Sequence, residues 1–136
     1  MPDVSMLATL VATVLGFVLG ALWYGPLFGK AWMRALAVGA DLKVGPYMQD
    51  FNPAKTYGAT FVLGLIASYA FGLFVGPNPG RAFAIAAGAG AGICFVATAL
   101  ATNYLFEGRR VSLILINGGY HAVRFILIGL AFAFLG

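Results

Sequence analysis

Four runs of this chain are long and apolar enough to cross a lipid bilayer as helices, and that limits the fold more than any other feature. A hydrocarbon core about 30 Å thick takes about 20 helical residues to cross. Val4–Tyr24, Thr56–Val75, Ala82–Leu105 and Val111–Leu135 all reach that length. None alternates apolar and polar residues as a barrel strand does, so helices are the expected way to satisfy the backbone in lipid. Charge placement agrees, because of 12 charged residues only Arg124 falls inside a run. With 62% hydrophobic and 9% charged residues, the chain cannot cover the surface of a soluble globule, in which about 25% of residues are charged. An ordinary cytosolic enzyme, a disordered tail and a nucleic-acid-binding domain are excluded. The expected fold is an all-α membrane protein: a four-transmembrane-helix bundle forming one domain, with a short interfacial amphipathic helix in the first loop.

The first run is expected to be a retained helix and not a signal peptide. Met1-Pro2-Asp3 lacks the basic residues of a signal n-region. The run ends in Trp23-Tyr24, a pair of the kind that anchors helices at a membrane interface. Of 8 basic residues, Lys30, Arg34, Lys43 and Lys55 lie in the first loop and Arg109 and Arg110 in the third. Basic loops stay in the cytoplasm, which puts both termini outside. The net charge of +4 then implies attraction to anionic lipid, not to nucleic acid.

Local signals place the helix ends. Asn52-Pro53 and Asn78-Pro79 each set a capping residue before a proline suited to the first helical turn. They predict starts near Pro53 and Pro79. Gly25-Pro26 is expected to end the first helix, and Gly108 the third. Within Leu27–Val38, Lys30 and Arg34 lie one turn apart, while Phe28, Trp32, Ala35 and Leu36 fall largely on the opposite face. This segment suits the interface, with its basic side toward water and its aromatic side down. Gly39–Asp50 reads as a polar turn region.

Small residues recur at spacings of four in every run: Ala12, Gly16, Gly20; Gly64, Ser68, Gly72, Gly76; Gly80, Ala84, Gly88, Gly92; Gly118, Ala122; and Gly129, Ala133. Such small-xxx-small stripes let helix backbones approach closely in lipid, within one chain or between chains. The ends of the first and third runs share a Tyr/Leu/Phe/Gly character, as do those of the second and fourth. Two similar hairpins related by an axis along the membrane normal would account for this; chance similarity among Phe- and Gly-rich segments would as well.

The candidate chemistry lies in the fourth run. Asn117, His121 and Arg124 follow at spacings of four and three and so share a helix face, with Tyr120 beside them. An Arg near mid-span costs roughly 2.5–3.5 kcal/mol on insertion-based scales, and no run holds an acid to offset it. Candidate partners are freed backbone carbonyls, Asn117, Asn103, Tyr69, water, a lipid phosphate or an anionic ligand. Arg offers a forked donor for carboxylate or phosphate, and His121 can exchange a proton. The competing reading is a structural polar cluster that fixes helix packing. One His and one Cys make a tetrahedral metal site within the chain impossible. Cys94 is expected to be a small packing residue. No phosphate-binding Gly loop, nucleophile–base pair or cofactor signature appears.

Leu19-Gly20-Ala21-Leu22-Trp23-Tyr24-Gly25-Pro26-Leu27-Phe28-Gly29-Lys30-Ala31-Trp32 resembles the opening signature of a bacterial membrane-protein family catalogued as domain of unknown function 1761. Leu105-Phe106-Glu107-Gly108-Arg109 is similar to a later part of that signature. So is Ile116-Asn117-Gly118-Gly119-Tyr120-His121, followed by Gly129. The resemblance covers nearly the whole chain and implies about four transmembrane helices. It marks Trp23, Gly25, Pro26, Glu107, Asn117 and Tyr120 as signature positions, with Arg124 outside them. It brings no activity, cofactor or substrate.

Two functions are therefore expected to compete. One is a non-enzymatic binding or transport module, expected to be oligomeric if it transports, that holds an anionic or lipid-like ligand at Asn117, Tyr120, His121 and Arg124. The other is an accessory subunit that packs against itself or a larger membrane complex. Membrane lipids are the expected partners in either case, contacted through Trp23, Tyr24, Lys30, Trp32 and Arg34.

Overall fold

A computed structural model describes residues 3–36 and 52–136. The expected polar turn Gly39–Asp50 lies outside the described residues, as does the end of the amphipathic segment. Four helices are long and apolar enough to cross a membrane: α1 (Met6–Leu27), α3 (Pro53–Val75), α4 (Arg81–Phe106) and α5 (Val111–Leu135). The short α2 (Gly29–Leu36) follows α1. The described residues contain no strand.

Two of the four boundary signals act where expected. Asn52 Oδ1 accepts from the Lys55 amide at 3.2 Å, and Pro53 opens α3. Gly108 ends α4 with φ +70. There the Arg109 amide donates to the Tyr104 carbonyl and the Gly108 amide to that of Leu105, the paired bonds of a left-handed helix end.

Two boundaries differ from expectation. Asn78 does not cap α4; it takes a left-handed conformation, φ 49, within the turn after Gly76. The helix starts at Arg81, with Gly80 as its cap. Gly25-Pro26 does not end α1 either. The helix widens into a π turn over Trp23–Leu27, closed by a bond from the Phe28 amide to the Trp23 carbonyl at 2.8 Å. A proline in a regular α-turn clashes with the carbonyl four residues back, and the wider turn lets Pro26 pass. A second π segment, Ala91–Ala97, interrupts α4.

The helices pack in the order α3, α1, α5, α4. The long helix α5 lies against both α1 and α4, α3 packs on α1, and α3 and α4 hardly meet. Hairpins repeated about an axis along the membrane normal would give α1 and α4 equivalent places. Instead α1 is central and α4 peripheral, so the structure does not follow that symmetry.

The core gathers Ala8 and Ala12 of α1, Phe71 of α3, and Phe125, Ile128, Ala131 and Phe132 of α5. Close approach sets the α4–α5 seam. A Cβ at Gly88 would strike the Phe125 carbonyl, and one at Gly92 would lie 2.9 Å from the Ala122 Cα. Between α1 and α3, Thr13 Oγ1 lies 3.3 Å from Ser68 Oγ, both residues being buried. Cys94 is exposed, unlike the packing residue expected, whereas Gly92, two residues before it, packs against α5.

Helix α2 completes the basic end of the molecule. Its buried Ala35 packs on Leu113 and Ile116 of α5, with Trp23, Tyr24, Ala31, Trp32 and Leu36 around them. The aromatic side expected to lie on the membrane interface thus largely covers the end of the bundle. Lys30 and Arg34 remain exposed on the other side.

Candidate functional site in the fourth spanning helix

The polar face of α5 splits into two parts. At Asn117, near the basic end, every side-chain group has a partner. The Tyr24 hydroxyl donates to Asn117 Oδ1 at 2.6 Å, and Asn117 Nδ2 donates to the Tyr104 hydroxyl at 2.9 Å. One amide thereby ties α1, α5 and α4 together. Beside it, Trp23 Nε1 donates to the Ile116 carbonyl at 2.9 Å, and the Tyr120 hydroxyl donates to the Gly16 carbonyl at 3.0 Å. The rings of Tyr24 and Tyr120 meet edge to face, their centroids 5.3 Å apart. Tyr24 meets Trp32 of α2 in the same way at 5.1 Å. Edge-to-face pairs of this kind are favourable beyond their buried area.

Local sequence explains this assembly. The π turn at Trp23–Leu27 accompanies the inward setting of Trp23 and Tyr24, the residues expected to anchor at the lipid surface. Gly20 leaves room for the Tyr120 ring, since a Cβ there would sit 3.3 Å from its hydroxyl oxygen. Gly119 receives the Trp23 indole in the same way, at 3.1 Å.

The second part lies one to two turns further along α5. His121 stacks edge-on against Tyr120, centroids 4.9 Å apart. The stem of Arg124 rests on Gly16 of α1, where a Cβ would lie 3.1 Å from its Cγ. The Arg124 guanidinium carbon stands 4.8 Å from the Phe125 ring centroid, within cation–π range. Yet His121 Nδ1 and Arg124 Nε are buried with no hydrogen-bond partner. Among the described residues no hydrogen bond joins Arg124 to Asn117, Asn103 or Tyr69. Glu107 pairs instead with Arg109, at 3.1 Å.

The four α5 residues singled out by spacing thus share one region without forming one network. Asn117 and Tyr120 are engaged in helix-to-helix bonds, while His121 and Arg124 are left with donor or acceptor capacity. Sequence reasoning missed Tyr104 as a member of the Asn117 cluster. Its signal was a tyrosine near the end of α4, on the same side of the membrane as Asn117.

The two cavities described lie at the ends of the molecule and not at Arg124. One, of about 230 Å³, is lined by Asp3, Ser5, Gly72, Asn78 and Phe132, among others. The other, of about 590 Å³, is an open groove beside α2.

No curated protein and no solved structure matches the chain. A family model described as protein of unknown function (DUF1761) matches residues 7–133. The chain, matched over nearly its whole length, belongs to that family.

Proposed function

We propose that this protein is a non-enzymatic binding or transport module for a small anionic or lipid-like ligand, held by His121 and Arg124 on α5. The observation that carries the reading is the pair of buried, unpartnered nitrogens, His121 Nδ1 and Arg124 Nε. An Arg at mid-span is costly, and a buried polar atom without a partner adds about 1–3 kcal/mol. A carboxylate or phosphate oxygen would relieve both costs. A purely accessory role asks for the opposite arrangement, with Arg124 satisfied by protein groups as Asn117 is.

The accompanying topology follows from charge. With the basic loops in the cytoplasm, both termini lie outside the inner membrane and the ligand site faces the middle of the bilayer. The Gly/Ala spacings on α1 and α4 serve close packing within the chain, and any homo-oligomer uses the outer faces.

The test is titration of the detergent-solubilised protein with dodecyl phosphate, using dodecanol as the uncharged control. The expected result is tighter binding of the phosphate than of dodecanol, weakened in Arg124→Gln with no fall in melting temperature. Equal binding by Arg124→Gln, or by dodecanol, would overturn the reading.

A further inference from the structure

The groove beside α2 combines features that Arg124 does not share. Its lining is Tyr24, Gly25, Gly29, Lys30, Trp32, Met33 and Arg34, around an open volume of about 590 Å³. Two of these residues are cations and none is an acid. Lys30 and Arg34 sit one turn apart on α2, and neither enters a salt bridge among the described residues. Tyr24, Trp32 and Met33 supply an apolar wall, and Gly25 leaves open space, with nothing within 4 Å of where its Cβ would be.

The groove also lies where a spanning helix emerges. It opens at the end of α1, next to Leu27 and Phe28, whose side chains are exposed. An occupant with an anionic head and apolar tails would meet both surfaces at once. The head would reach Lys30 and Arg34, and the tails would run along the outward side of α1, past Leu22 and Val18, both exposed. A soluble anion would use only the first of these surfaces.

We infer that the α2 groove is a binding site for the headgroup of an anionic phospholipid, its phosphate held between Lys30 and Arg34 against the Trp32 and Tyr24 rings. The site shares no residue with the Arg124 region. Binding there fixes α2, and with it Tyr24, against the end of the bundle.

The test is native mass spectrometry of the intact protein released from nanodiscs holding equal amounts of phosphatidylglycerol and phosphatidylcholine. The wild type is expected to retain phosphatidylglycerol in preference. A juxtamembrane cation contributes roughly fivefold to such a preference, so Lys30→Gln/Arg34→Gln should lower it about thirtyfold. Lys30→Arg should keep it. Lys55→Gln/Arg81→Gln removes the same net charge from other exposed positions, but these cations lie at opposite ends of the bundle and cannot hold one headgroup together, so it should lower the preference by no more than about fivefold. No preference in the wild type, or an equal loss in the Lys55/Arg81 control, would overturn the assignment.

Discussion

Asn117 and Arg124 stand two turns apart on one face of α5, and the bundle treats them in opposite ways. Asn117 is closed from both sides, its carbonyl by Tyr24 and its amide by Tyr104. Arg124 has glycine on one side and an aromatic ring on the other, and its Nε has no partner. The difference is one of chemistry supplied by neighbours. Near Asn117, α1 and α4 present tyrosines. Near Arg124, Gly16 of α1 lies against the stem and the Phe125 ring against the guanidinium, and neither residue offers a side-chain hydrogen-bond acceptor. A polar group with partners holds helices together, whereas one without them remains available for a ligand.

The largest effect that should separate the two regions is on stability in the absence of ligand. Arg124→Leu replaces a costly mid-span cation with a residue that inserts favourably, a change of about 3 kcal/mol on insertion scales. Reversible unfolding in mixed detergent micelles should show the variant more stable than the wild type. A marked loss of stability would mean that Arg124 is bonded within the protein after all, and the contrast with Asn117 would fail.

Packing should come next. Gly88→Ala places a methyl group against the Phe125 carbonyl, and overpacking of this kind typically costs 1–3 kcal/mol. The same unfolding assay should register a loss of about 2 kcal/mol. An unchanged midpoint would show that α4 can move away from α5 freely.

Asn117→Leu should act in the opposite direction from Arg124→Leu. It removes two inter-helix hydrogen bonds, each worth about 0.6 kcal/mol in a membrane bundle. The expected loss is therefore about 1 kcal/mol, and a gain in stability would erase the distinction between the two regions. Tyr24→Phe removes only one of those bonds and keeps the ring contacts with Tyr120 and Trp32. Its cost should be about half that of Asn117→Leu, read as a smaller shift of the same midpoint.

Much of the architecture is legible in the sequence because it depends on short-range rules. Span length, the Asn52 cap and the Gly108 helix end follow from residues close together in the chain. The π turn at Trp23–Leu27 was not legible. Gly-Pro normally ends a helix, and only packing of Trp23 and Tyr24 onto α5 favours a widened continuation. The spacing of Asn117, His121 and Arg124 correctly placed them on one face, but not their different fates. Those depend on which tyrosines arrive from α1 and α4.

The sequence by itself determined that this chain forms four apolar helices, where each begins and ends to within a few residues, and that one Arg lies inside a span. These are consequences of transfer from water to lipid, which each segment meets on its own. Only the tertiary structure decided that α5 lies between α1 and α4, that Trp23 and Tyr24 turn inward, and that Asn117 is satisfied while His121 and Arg124 are not. Helix order and side-chain partnership arise from contacts between distant parts of the chain. In lipid, where apolar surfaces are nearly equivalent, those contacts rest on close approach and a few hydrogen bonds.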